Sequence, residues 1–216
     1  MARCVHIPVA VRINALFADT PAEVDQALAC GARILMLPMS RTVEDVREFL
    51  GIVDHRARTI IQIETPQLAE DVHALTDLDW DYAYIGLNDL MVARGGHSIW
   101  EALLDGTAQR ICQALWGRRY GFGGCTFLGG GQPIINVLIL HELVRLGGSV
   151  ALMRRTFKRE LTDRNLMAEM EGLRQFFIAS EQRGPAARQY DYAHLRRILK
   201  EIIGIHPGTA TAGSHS

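Results

Sequence analysis

Three charged residues each interrupt or close an apolar run. Arg12 breaks the short β-type run Val9 to Ile13, Glu64 stops Ile60-Ile61-Gln62-Ile63, and Asp89 follows Tyr82 to Leu87. Two carboxylates presented from neighbouring strand ends are hard oxygen ligands. They suit Mg2+, which takes one or two carboxylates, keeps several waters and leaves positions for substrate oxygens. Mn2+ suits the same ligands. A guanidinium inside an apolar strand is costly unless it meets an anion or an open cleft. Its planar fork matches the two oxygens of a carboxylate. Each residue also has a purely structural reading. Glu64 and Asp89 could be turn or N-cap acids, and Arg12 one half of an internal ion pair. Gln62 shares a face with Glu64 by strand alternation, so it either lines the same pocket or is a hydrogen-bonded core amide. Gly86-Leu87-Asn88-Asp89 could turn backbone N–H groups toward an anion, with Gly86 permitting close approach.

Other chemistries find no support. His6, His55, His73, His97, His141 and His194 show no metal-ligand spacing, and no GxSxG occurs. His141-Glu142 reads as a surface or interface pair. Gly121-Phe122-Gly123-Gly124 and Gly129 to Gly131 match neither a P-loop nor a complete dinucleotide fingerprint, so the second stretch reads as a mobile loop. Arg154-Arg155 closes a later strand and reads as an anion contact or as a solvated pair.

The elements that position these residues repeat. Arg12, Pro38, Glu64 and Asp89 close successive strand patterns, at spacings of 26, 26 and 25 residues. One strand plus one helix at a near-constant period implies a parallel α/β sheet. The helix after the first strand starts at Thr20-Pro21-Ala22-Glu23, with Thr20 as N-cap and Gly31 as stop. Ser40 or Thr42 can cap the helix that carries Val46, Phe49 and Val53. Leu68, Val72 and Leu75 mark a helix after Thr65-Pro66. Beyond Asp89 the spacing predicts a helix over 99–115, a strand over Tyr120 to Cys125, a helix over Ile134 to Leu146 and a strand over Val150 to Met153. Two helices follow, over 163–182 and 190–203, separated by Gly184-Pro185. Successive units with short connections favour a TIM-type (β/α) barrel over a doubly wound sheet. Six strand candidates are present, where a closed barrel takes eight. The expectation is an incomplete α/β barrel with extra C-terminal helices: core over 1–160, C-terminal helices over 161–205, and a disordered tail over 206–216.

Composition sets outer bounds. The 216 residues are 48% hydrophobic and 22% charged, with a formal net charge of −1. The chain is long enough for a substantial core. No basic patch suggests nucleic acid as a partner, and no apolar run nears the ~20 residues that span a bilayer. The N-terminus lacks a signal-peptide plan. Cys4, Cys30, Cys112 and Cys125 form no CxxC pair and read as reduced thiols, so a cytoplasmic location is expected.

Gln62-Ile63-Glu64-Thr65, followed by Ile85-Gly86-Leu87-Asn88-Asp89-Leu90, resembles the metal-binding signature of the HpcH/HpaI aldolase and citrate lyase β-subunit family. Arg12-Ile13-Asn14 is similar to that family's Arg-x-Asn strand, and Leu35-Met36-Leu37-Pro38 to its fourth strand. The resemblance covers about residues 9 to 160. It implies a metal-dependent carbon–carbon lyase or aldolase acting on a 2-oxo acid such as pyruvate, with an aldehyde or acyl-CoA as further partner. It implies Glu64 and Asp89 as metal ligands. Arg12 and Gln62 would be catalytic. Arg12 and the Gly86 to Asp89 turn would hold the substrate carboxylate or enolate. The family places two βα units before the Arg-x-Asn strand, and with them the His that some members use for proton transfer. A fragment, an incomplete barrel and a barrel completed by another subunit all fit this departure. A non-catalytic subunit retaining the pocket is the alternative to an enzyme, and a homo-oligomer is expected under either. Met39 stands where the acyl-CoA branch usually has Lys.

Overall fold

Six strands make one sheet: β1 (Ala10–Arg12), β2 (Ile34–Leu37), β3 (Arg58–Ile63), β4 (Tyr82–Ile85), β5 (Tyr120–Cys125) and β6 (Val150–Met153). Their order is sequential and every neighbouring pair is parallel. The structure is a computed structural model and describes residues 7–204. The sheet curls into a half-barrel with helices around it, as the periodicity predicts. The tail 206–216 and Cys4 lie outside the described residues. Among the described residues, no helix is long and apolar enough to cross a membrane.

Strand alternation divides the sheet into two faces. Leu35, Leu37, Ile61, Ile63, Ile85 and Phe122 join one core cluster with helix residues such as Val46, Phe49, Leu90, Ile111 and Leu143. Met36, Ile60, Gln62, Tyr84, Gly121 and Gly123 alternate with them and line the other, concave face. Central strand β3 is buried on both faces, which is why it reads as an almost unbroken apolar run.

The helices form where local signals agree. In α1 (Thr20–Ala29), Asp19 rather than Thr20 is the N-cap. The Thr20 hydroxyl instead accepts from Phe17 N at 3.0 Å, bracing the entry turn. Thr42 caps α2 (Val43–Val53) in a reciprocal box: its Oγ1 accepts from Asp45 N, and Asp45 Oδ2 accepts from Thr42 N. The expected helix after Pro66 is two pieces, α3 (Pro66–Glu70) and a 3-10 turn over Val72–Asp77. Side chains satisfy the released carbonyls: Trp80 Nε1 donates to Leu75 O at 2.6 Å, and Arg118 donates to Thr76 O and Leu78 O.

Between β4 and β5 lie α4 (Leu87–Ala93), α5 (Glu101–Leu104) and α6 (Thr107–Ala114). The continuous helix expected over 99–115 breaks at Gly106, which has φ +85, and Asp105 Oδ1 accepts from Thr107 N at 2.8 Å to start the next helix. Then come α7 (Asn136–Arg145), α8 (Phe157–Glu160), α9 (Leu166–Glu181) and α10 (Pro185–Ile203). Both α9 and α10 pack on α7. His141 is therefore no surface residue. It stacks on Phe176 of α9, and its Nδ1 lies 3.2 Å from Asp191 Oδ2 of α10. Glu142 is buried and paired with Arg145.

Candidate metal and substrate site

Strand β3 carries the centre of the site. Glu64 follows its last residue and is only 2% exposed. Its carboxylate is held at both oxygens: Oε1 accepts from Met39 N and Oε2 from Gln62 Nε2, each at 2.8 Å. Met39 reaches it from the turn after β2 in a left-handed conformation, φ 57. For a residue with a Cβ that costs on the order of 1–3 kcal/mol. The turn after β4 closes the other side. A Cβ at Gly86 would stand 2.6 Å from Glu64 Cβ and 2.7 Å from Oε2, so only glycine fits there.

Asp89 departs from the expected strand-end position. β4 stops at Ile85, and Asp89 lies in the first turn of α4. The helix nevertheless brings its carboxyl against Glu64. Burial and the neighbouring Asp89 carboxyl push the Glu64 pKa up, opposed by the Met39 N–H and by Arg12. Arg12 ends β1 and makes no side-chain hydrogen bond or ion pair among the described residues. Asn14 is spent elsewhere: its N and Nδ2 donate to the Glu23 carboxylate on α1.

Gln62 is the hydrogen-bonded amide that its structural reading requires, and it also faces the site. Its Oε1 is buried without a partner, because the amide must turn its NH2 toward Glu64. Leu87 has a buried side chain, so it can offer only backbone. The N–H groups of Leu87, Asn88 and Asp89 belong to a first helical turn and have no intrahelical acceptor. Arg154, by contrast, is engaged internally. It pairs with Glu160, which also accepts from Thr126, and donates to Gln132 O.

The concave face adds a residue that spacing alone passes over. Tyr84 pairs in register with Gln62 on one side and Gly121 on the other. Burial raises its phenol to about 12, with Glu64 and Asp89 adding to the effect and Arg12 opposing it. The clue in the sequence is Gly123 on β5, where a Cβ would meet the Tyr84 ring.

A divalent cation fits these groups. Two like charges converge where the buried Glu64 carboxylate meets the exposed Asp89, the Gln62 beside them carries an orphaned amide oxygen, and the exposed Arg12 guanidinium stands nearby. Two carboxylates fall within the usual complement for Mg2+. No group of three or more His, Cys, Asp or Glu residues is arranged for a metal among the described residues, so water and substrate would fill the remaining positions.

No protein-family model and no curated protein sequence matches the chain. Solved structures do. RipC from Yersinia pestis is 18% identical over 83% of this chain and 79% of its own, with a TM-score of 0.57. An HpcH/HpaI aldolase from Desulfitobacterium hafniense DCB-2 is 18% identical over 75% of this chain and 72% of its own, also at 0.57. A citrate lyase from Burkholderia xenovorans LB400 is 14% identical over 94% and 74%, at 0.53. The class these matches define is one of shape: an α/β barrel fold similar to that of aldolase and citrate lyase structures. At such identity the likeness extends to the fold alone.

Proposed function

We propose that this chain is a lyase of the aldolase type, forming the enolate of a 2-oxo acid in the presence of a divalent cation. The convergence of Glu64, Asp89 and an unpaired Arg12 at one rim of the half-barrel carries this reading. When bound, Mg2+ or Mn2+ would supply Lewis acidity toward the substrate carbonyl. Glu64 and Asp89 would hold the ion. Met39 N–H and Gln62 Nε2 keep the Glu64 carboxylate in one orientation. Arg12 would take the substrate carboxylate or the developing enolate charge through its fork. The first-turn N–H groups of α4, from Leu87 to Asp89, would face the same anion, with Gly86 setting the approach. An aldehyde is the partner in the carbon–carbon step.

The test needs no knowledge of that aldehyde. With Mg2+ present, the methyl protons of pyruvate should exchange into deuterated solvent. Arg12→Lys should slow the exchange by a factor of ~100, equivalent to about 2.7 kcal/mol of transition-state stabilisation. Calorimetry should find Mg2+ binding in the wild type and none in Glu64→Gln. Equal binding by both proteins would overturn the ligand assignment.

Among the described residues β1 and β6 each have a single neighbour, which favours a second reading, a barrel subunit whose catalysis requires a partner. Metal-dependent binding of pyruvate without exchange above the metal-only background would select it.

A further inference from the structure

The Tyr84 hydroxyl is a polar group on the concave face to which the described residues supply no partner. Its neighbours on β5 are Gly121 and Gly123. A Cβ at Gly123 would overlap the hydroxyl and stand 3.2 Å from Cζ and 3.3 Å from Cε2. The ring thus lies over β5 in space that any larger residue would fill. Three other tyrosine tips are spent: Tyr120 donates to Leu146 O at 2.7 Å, Tyr82 Oη accepts from Arg58 and Tyr192 Oη from Arg196. The Tyr84 hydroxyl makes no hydrogen bond among the described residues. Beside it in register stands Gln62, whose Oε1 is also unpartnered. Glu64, Asp89 and Arg12 all lie near enough to act on the phenol electrostatically. The hydroxyl is not fully enclosed, so water or a ligand oxygen can reach it. Phenylalanine would cover β5 equally well.

We propose that Tyr84 is a catalytic hydrogen-bond donor, its O–H directed at the oxygen on which negative charge develops as a bound 2-oxo acid enolises. This rests on the proposed lyase function and adds a residue to it. A phenol carries its proton at neutral pH and can only donate to such an oxygen. During enolisation the C–H bond adjacent to the carbonyl breaks and its proton leaves to solvent. The C–H pair forms the C=C bond, and the carbonyl π pair moves onto oxygen. Tyr84 keeps its own proton and strengthens its hydrogen bond to that oxygen, so nothing is transferred to the protein. Arg12 and Tyr84 then approach the anion from different strands, one as a charge and one as a neutral donor.

The experiment compares wild type with Tyr84→Phe, which keeps the ring over Gly123. Oxalate, a planar dianion resembling the enolate, is titrated calorimetrically at saturating Mg2+, and pyruvate methyl exchange is followed in parallel. Tyr84→Phe should bind Mg2+ like wild type and unfold at a similar temperature. Its oxalate affinity should fall ~10-fold, as for loss of one hydrogen bond to a charged group, and its exchange rate ~100- to 1,000-fold, the range for losing one donor to an oxyanion. The KM for pyruvate should change far less than kcat, since the contact strengthens with the charge. Wild-type oxalate affinity and exchange in the variant would overturn the role of Tyr84 while leaving the proposed function intact. If wild type itself neither binds oxalate nor exchanges pyruvate, the proposed function fails and this inference with it.

Discussion

At the scale of single residues, Gly86 is as important to the site as the acid it abuts. Alanine there would place its Cβ 2.6 Å from Glu64 Cβ, so the carboxylate must leave its place between Met39 N and Gln62 Nε2. Gly86→Ala is expected to weaken Mg2+ binding ~10- to 100-fold, the usual effect of disturbing a group that orients a ligand. Circular dichroism should show the fold retained. Undiminished metal affinity would show that Glu64 is not held by this packing. The acid itself is legible in the sequence, because a charge that ends an apolar run is conspicuous. Its restraint is not. The Met39 N–H arrives from a turn 25 residues away, and nothing in the local pattern marks a left-handed methionine.

At the scale of elements, the packing of α7 against α9 and α10 carries a titratable group. His141 is mostly buried between them, beside Asp191 and Arg183. Burial pushes its pKa down. Asp191 works against that and Arg183 with it. A depressed histidine pKa means that the folded chain binds a proton less readily than the unfolded chain. Stability is then complete above the unfolded value of about 6.5 and declines as pH falls below it toward the folded value. The thermal midpoint should fall between about pH 7.5 and about pH 5.5, and His141→Gln should flatten that part of the slope. An equal slope in both proteins would assign the pH dependence elsewhere. The helices themselves follow from the apolar periodicity, yet His141 reads in sequence as part of a surface or interface pair. Its burial depends on α9 and α10 folding back over α7, which no local periodicity encodes.

At the scale of the whole molecule, the two ends of the sheet are conspicuous. β1 and β6 each have a single neighbour among the described residues, and free parallel edges are prone to association. Apolar surface also remains on α9, where Met167 is 75% exposed and Met170 40%. These two help line a cavity of about 460 Å3 that also involves Met153, Leu173 and Phe177. A self-associating chain would cover this surface, and a stable interface buries about 800 Å2 per partner. Light scattering is expected to find an oligomer, and Met167→Glu with Met170→Glu should shift it toward monomer. A monodisperse wild-type monomer would rule this out.

What the sequence determined by itself was the strand framework. Ile34–Leu37, Tyr120–Cys125 and Val150–Met153 are strands at the expected bounds. Buried strands must be short apolar runs, and Pro38 and the surrounding glycines cut them off sharply. The near-constant period then implied sequential parallel strands, since similar units repeat with similar connections. Tertiary structure alone decided the rest. The break at Gly106 is supported by Asp105, which accepts from Thr107 N, and the 3-10 turn after Asp71 ends where Trp80 and Arg118 take up the Leu75 and Thr76 carbonyls. Asp89 reaches Glu64 from a helix, because β4 ends early enough for α4 to begin at Leu87. Tyr84 joins the concave face because β4 pairs with β5 in a register that sets it beside glycines. Register and curvature are properties of strands meeting across tens of residues. A one-residue slip in pairing would turn Tyr84 away from Gln62 while leaving its own run of residues unchanged.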